Sequence, residues 1–113
     1  QSDVVTLHLP LDRSTKNILD SDKLNLLKND AVLINLARGG LINEIALMKL
    51  LGNNKIAGVA LDVFEVEPLP MGVYLRTHPH CIFGSHNASN TADAVERTSH
   101  IAIDKLFNFL NIK

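Results

Sequence analysis

Residues 31–36, "AVLINL", are apolar at every position but one. A strand with one wet face alternates apolar and polar residues. A run this uniformly apolar is expected to be covered on both faces, as parallel strands are. Parallel neighbours need long crossovers, usually helical, and the flanking sequence offers them. Residues 4–9 read as a strand ended by Pro10, residues 56–61 as a third strand and residues 81–84 as a fourth. Between them, Ser21 is placed to cap a helix over residues 21–27, with Leu24 and Leu27 on one face. Asn43 is placed to cap a second helix: Glu44 suits the positive end of its dipole, Ile45, Met48 and Leu51 form its apolar face, and Gly52 stands just past its end. A last helix starts near Asn90 or Thr91. Its stripe of Val95, Ala102, Leu106 and Phe109 or Leu110 reads as core packing. The alternation predicts an α/β domain of about four parallel strands with flanking helices. The least regular segment, residues 65–79, holds three of the four prolines and reads as a surface excursion.

Composition narrows the function classes. A length of 113 residues allows one small domain. A net charge of −1, with no basic stripe or acidic tail, argues against nucleic acid and anionic membrane as main partners. The single cysteine, Cys81, allows no internal disulfide and fits a reducing compartment. No apolar run approaches the roughly 20 residues of a membrane span, and the start has no signal-peptide pattern. A cytoplasmic protein is therefore expected. The chain opens on Gln1-Ser2-Asp3 and enters a strand at once, which reads as the middle of a longer chain, either a fragment or a processed product.

In open α/β sheets, ligands bind outside the carboxyl ends of the strands. The first strand leads into His8, Leu9 and Pro10, the second into Asn35 and Arg38, the third into Asp62, and the fourth through Gly84 and Ser85 into His86. Buried strands do not need charged exits for stability, so the four together form a candidate site. Arg38 carries a permanent charge and a planar fork of donors that matches a carboxylate. Gly39-Gly40 would let the backbone come close to a ligand. His86 can exchange a proton near neutrality, and an acid from "DVFEVEP" could orient its ring. An anion clamp beside an acid/base His–Glu pair suits hydride transfer between a 2-hydroxy acid and a 2-oxo acid, with a nicotinamide as carrier.

The blocks "SDVVTLHLPL", "LINLARGGLINEIALMKLL", "IAGVALDVFEVEP" and "GSHNAS" resemble, in order and spacing, the D-isomer-specific 2-hydroxyacid dehydrogenases, which include D-3-phosphoglycerate dehydrogenase. The resemblance runs from Ser2 to about Leu110. It implies a partial Rossmann-like doubly wound fold, in which residues 1–113 are the second half of a dinucleotide-binding domain. It places the substrate-binding arginine at Arg38, the catalytic glutamate at Glu67 and the acid/base histidine at His86. Asp62 would bond the nicotinamide carboxamide. Leu9, Pro10, Leu36, Ala37 and Ala88 would contact the cofactor, NAD or NADP, and Thr15 would lie near its phosphates. The implied partner is a small 2-hydroxy or 2-oxo acid, and the implied parent a homodimer.

Two departures from the family pattern stand out. The histidine sits in Ser85-His86-Asn87-Ala88-Ser89 rather than Pro-His-Ile-Gly-Gly. The sequence also lacks the G-x-G-x-x-G pyrophosphate loop, which implies that the glycine-rich half and the substrate domain lie outside this chain and that it is inactive alone. Its first strand should then present an open edge. A blander origin exists for each residue. Arg38 could be a surface residue, His86 a core histidine bonded to a carbonyl, and Asp62 a turn cap. Glu65 reads as solvated and His8 as a strand-end residue. His78, His80, Cys81 and His86 could form a metal set, but the spacing fits no standard zinc pattern, and no metal is expected. The rival functional class is a non-catalytic NAD(P)-sensing module of the same fold.

Overall fold

The structure, a computed structural model, describes residues 2–111. Strands β1 (Val4–Leu7), β2 (Val32–Asn35), β3 (Gly58–Leu61) and β4 (Cys81–Phe83) form one sheet in the order β1-β2-β3-β4. All three pairings are parallel. The register sets Leu7 opposite Asn35, Asn35 opposite Leu61, and Leu61 opposite Phe83. The strands therefore end in one row, and every exit loop emerges from the same edge. β1 and β4 each have a single neighbour, so the expected open edge at β1 is present, with Val4 exposed.

Helices α1 (Ser21–Leu24) and α2 (Glu44–Gly52) pack against one another and build the core with the sheet. Leu24, Leu33, Leu41, Ile42, Leu47, Leu51, Val59 and Leu75 are almost wholly buried there. Each of these elements matches its sequence reading in kind; the strands and α1 are shorter than read, and α2 runs one residue further. α1 is a single turn, and its cap is Asp20 rather than Ser21: the Asp20 carboxylate accepts the Lys23 amide at 2.9 Å. Asn43 caps α2 as expected, accepting the Ala46 amide at 2.9 Å. Gly52 is still helical. The left-handed residue that turns the chain away is Asn54, at φ 53°.

Two expectations about packing are corrected. β2 is not covered on both faces, and β3 beside it shows the same one-sided pattern. Leu33, Asn35, Val59 and Leu61 are buried, while Val32, Ile34, Gly58 and Ala60 on the opposite face are only half-buried. Nor is the apolar stripe of α3 (Ala92–Phe109) core packing: none of its residues is buried, and Val95, Leu106 and Phe109 are exposed. The amphipathic pattern does form a helix, but a stripe reports that a face needs a partner, not that this chain supplies one.

The loop after β2 is held from two sides. Backbone bonds Asn17 N–H to Gly40 O (2.8 Å), Leu19 N–H to Leu41 O (3.0 Å) and Asn43 N–H to Leu19 O (3.0 Å) tie it to residues 17–19. On the other side, a Cβ on Gly39 would lie 1.9 Å from the Phe64 carbonyl carbon. No glycine has positive φ, so Gly39 is required by contact with this chain's own backbone rather than by a left-handed turn. Gly39→Ala should therefore destabilise the chain by about 2 kcal/mol or more. Gly52→Ala, with open space around it, should be neutral or stabilising by up to about 1 kcal/mol. Urea unfolding of the two variants beside wild type checks both.

Candidate active site

Asp62 is the first residue beyond β3, and it organises the loop beyond β4. Its amide donates to Asn35 O at 3.0 Å, and its carbonyl accepts the His86 amide at 2.8 Å. Its carboxylate Oδ2 accepts the Ala88 amide at 2.7 Å. Gly84 makes this fit possible, because a Cβ there would lie 1.9 Å from Asp62 Oδ1. Burial alone would raise the Asp62 pKa; bonds from the Ala88, Asn87 and His86 amides outweigh it and hold the carboxyl below its ordinary value. Asp62 therefore does not cap the turn after its own strand; its carboxylate takes up amides of the loop beyond β4. Within that loop His86 takes a left-handed φ of 59°, a conformation a non-glycine residue holds only when its surroundings fix it.

His86 and Glu67 come together. His86 Nδ1 lies 2.7 Å from Glu67 Oε2, and Glu67 Oε1 accepts the Phe64 amide at 2.9 Å. The His86 bond, with help from Phe64, keeps the Glu67 carboxyl below its usual range. The side chains are 48% and 34% exposed, so solvent screens the attraction and the pair adds little to stability. What the contact does is orient the ring. With Nδ1 engaged, Nε2 is the atom left for proton exchange. A cavity of about 300 Å³ runs beside the pair, lined in part by Asp62, Glu67, Phe83 and His86.

Arg38 lies on the neighbouring side. Asn35, buried at the end of β2, shapes this turn: its amide nitrogen donates to Arg38 O at 2.9 Å, and its Oδ1 accepts the Ala37 amide at 3.1 Å. The polar interruption of "AVLINL" therefore has a task, which its place in an apolar run signalled. Arg38 is exposed and lines a second cleft of about 490 Å³ together with Lys16, Glu65 and Glu67. Glu67 faces both cavities, so the structure gathers Arg38, Glu67, His86 and Asp62 at one end of the sheet.

The remaining positions divide. Leu9 and Leu36 are 40% and 45% exposed at the β1 and β2 exits, with Pro10 exposed and Ala37 half-buried beside them, a rim suited to a flat apolar ring. Ala88 offers its amide only to Asp62. The Thr15 hydroxyl is already engaged, donating to Pro10 O at 2.8 Å and accepting the Asp12 amide at 2.8 Å. His8 bonds Thr6. His78 stacks edge-on with Tyr74 and His80, while His86 is paired with Glu67 elsewhere. No group of three or more metal-ligating side chains converges among the described residues. Burial pushes the Cys81 thiol up. Glu65 is exposed, but it is not merely solvated: it accepts the Glu44 amide at 3.1 Å, while Glu44 accepts the Glu65 amide at 2.6 Å. This reciprocal clasp spans 21 residues, and nothing in the local pattern announces it.

This arrangement, an open parallel sheet whose strand ends carry an arginine and a His–Glu pair, is that of a dehydrogenase cofactor domain. Residues 1–88 match the sequence profile of the D-isomer specific 2-hydroxyacid dehydrogenase, NAD binding domain, and the chain belongs to that family. It is 39% identical over 110 residues to the glyoxylate reductase of Thermofilum pendens, covering 97% of this chain and 32% of that protein. Against the D-3-phosphoglycerate dehydrogenase of Bacillus subtilis it is 44% identical over 93 residues, 82% of this chain and 18% of the relative. It superposes at a TM-score of 0.85, with 30% identity, on the NAD-complexed D-isomer specific 2-hydroxyacid dehydrogenase from Lactobacillus delbrueckii ssp. bulgaricus, over 100% of this chain and 39% of that one. The chain thus spans about a third or less of the curated relatives it matches.

The carboxylates set an acid dependence. Glu67 and Asp62 titrate below their ordinary values in the folded chain, so each binds its proton less readily than when unfolded. Their stabilisation is complete above the ordinary carboxylate range and is lost as the pH falls through the lowered values. Glu44, raised chiefly by burial, has the opposite sign and gains stability as pH falls. Unfolding free energy should decline on acidification below about pH 4, and Glu67→Gln should make the decline shallower. Urea midpoints measured across pH 2–7 check this.

Proposed function

We propose that this chain is the second half of the cofactor domain of an NAD-dependent D-2-hydroxyacid dehydrogenase, and that a glycine-rich half and a substrate domain complete it. The observation that carries the reading is the 2.7 Å His86–Glu67 contact, with Glu67 anchored by the Phe64 amide, at the sheet end that also holds Arg38.

The residues at the strand exits fit a nicotinamide. Leu9 and Leu36 offer apolar surface, and Asp62, on the cavity wall, supplies an acceptor for a carboxamide. Arg38, Lys16 and the loop amides provide no glycine-rich cradle for a pyrophosphate, so the phosphates are assigned to the absent half. When bound, the cofactor supplies the hydride that reduces a 2-oxo acid to the 2-hydroxy acid. Arg38 holds the substrate carboxylate through its guanidinium fork. His86, protonated and oriented by Glu67, donates from Nε2 to the carbonyl oxygen, and takes that proton back in the oxidative direction. Glu67 stays ionised and holds the ring through Nδ1.

The test is NADH oxidation by the full-length protein against a panel of 2-oxo acids. His86→Ala should cut turnover about a hundred- to ten-thousand-fold. Arg38→Ala should lower kcat/KM about ten- to a hundredfold through loss of a charged hydrogen bond. Near-wild-type rates in either variant would sink the assignment. Absence of turnover on every acid, with cofactor still bound, would favour the NAD(P)-sensing module.

A further inference from the structure

The Glu44–Glu65 clasp joins the two halves of the candidate site. Glu44 is the first residue of α2, six residues after Arg38 in the chain. Glu65 belongs to the loop that carries Glu67. Each carboxylate accepts the other's backbone amide, so two peptide groups that secondary structure leaves unpaired are satisfied at once. Beside the clasp, Gly39 lies against the Phe64 carbonyl so closely that no side chain would fit. The preceding peptide group, Val63–Phe64, is the one whose Phe64 amide donates to Glu67. Three hydrogen bonds joined by the covalent Phe64–Glu65 backbone thus lead from the helix start beyond the Arg38 turn to the imidazole: Glu65 N–H to Glu44 Oε1, Phe64 N–H to Glu67 Oε1, and His86 Nδ1 with Glu67 Oε2.

We propose that Glu44 is a positioning residue: through the Glu65 amide it sets the Phe64 peptide and thereby the Glu67 carboxylate against His86. The inference rests on the reading of Glu67 and His86 as the acid/base pair and names what registers that pair against Arg38. Geometry and charge make opposite predictions here. Glu44 is close to Glu65 and Glu67, with Arg38 and Lys16 on the adjoining cleft. If Glu44 acted only as a negative charge, its removal would let Glu67 ionise more easily. If it acts by position, its removal loosens the Phe64 and His86 bonds, and Glu67 ionises less easily.

The experiment is a carbon-detected NMR titration of the Glu67 carboxyl in the whole chain, for wild type, Glu44→Ala, Glu44→Gln and Glu44→Asp. Glutamine keeps an acceptor oxygen at the same reach without the charge; aspartate keeps the charge and withdraws the oxygen by one methylene. Glu44→Ala and Glu44→Asp should raise the Glu67 midpoint toward the ordinary value of 4.5, and Glu44→Gln should not. A Glu67 midpoint that is unmoved or lowered in Glu44→Ala overturns the proposal, as does a rise in Glu44→Gln equal to that in Glu44→Ala. Should Glu44→Ala fail to fold, Glu44→Asp decides by the same criterion. A wild-type Glu67 that titrates at its ordinary value removes the His86 pairing itself, and the proposal with it. A lowered wild-type value that ignores Glu44 removes the proposal alone.

Discussion

The parallel register that ends all four strands in one row is the constraint on which the rest depends. Parallel ladders satisfy the backbone within the sheet, but they leave each exit with groups that need new partners. Here those partners come from the neighbouring exit. Asp62 donates to Asn35, Gly84 to Leu61, and His86 to Asp62. The ladder is thus carried one step past the strands by loop residues, which ties Asp62 and His86 to the sheet through their backbones. Among the described residues no buried side-chain polar atom lacks a partner, so the polar end of the sheet is compatible with its apolar body.

Carboxylates at this end have different tasks set by environment. Asp62 is buried and takes up backbone amides from the loop beyond β4, which makes it an organiser of structure as well as a cavity wall. Glu67 is partly exposed and divides its oxygens between a fixed backbone donor and a titratable ring. Glu44 and Glu65 face one another across a helix start, where paired amides and the helix dipole offset their mutual repulsion. A cis peptide joins Glu67 to Pro68 within the loop that follows β3.

Much of the fold was legible because α/β sequences carry it locally. Short β-branched runs, the Asn43 cap and the period of α3 each rest on neighbours within a few residues. The ends were less legible. Asp20 outcompeted Ser21 as a cap, and Asn54 rather than Gly52 left α2, because several residues of the right chemistry stood side by side and only the path of the chain chose among them. The burial of β2 and the packing of α3 were misread for a different reason. Hydrophobicity states what a face prefers to touch, while the cover it receives depends on where the rest of the chain packs.

The sequence by itself determined the element order and the parallel sheet, since these follow from residue type and spacing along the chain, and its motif blocks carried the resemblance to the family. It also placed Arg38, Asp62, Glu67 and His86 at the exits as candidates. Only the tertiary structure decided how they meet: that Glu67 reaches His86 across 19 residues, that Gly39 is required by the Phe64 carbonyl, and that Glu44 and Glu65 clasp across 21. The last two contacts join side chains or a bare glycine to backbone groups far away in sequence, and backbone groups are the same at every position, so no side-chain pattern announces them.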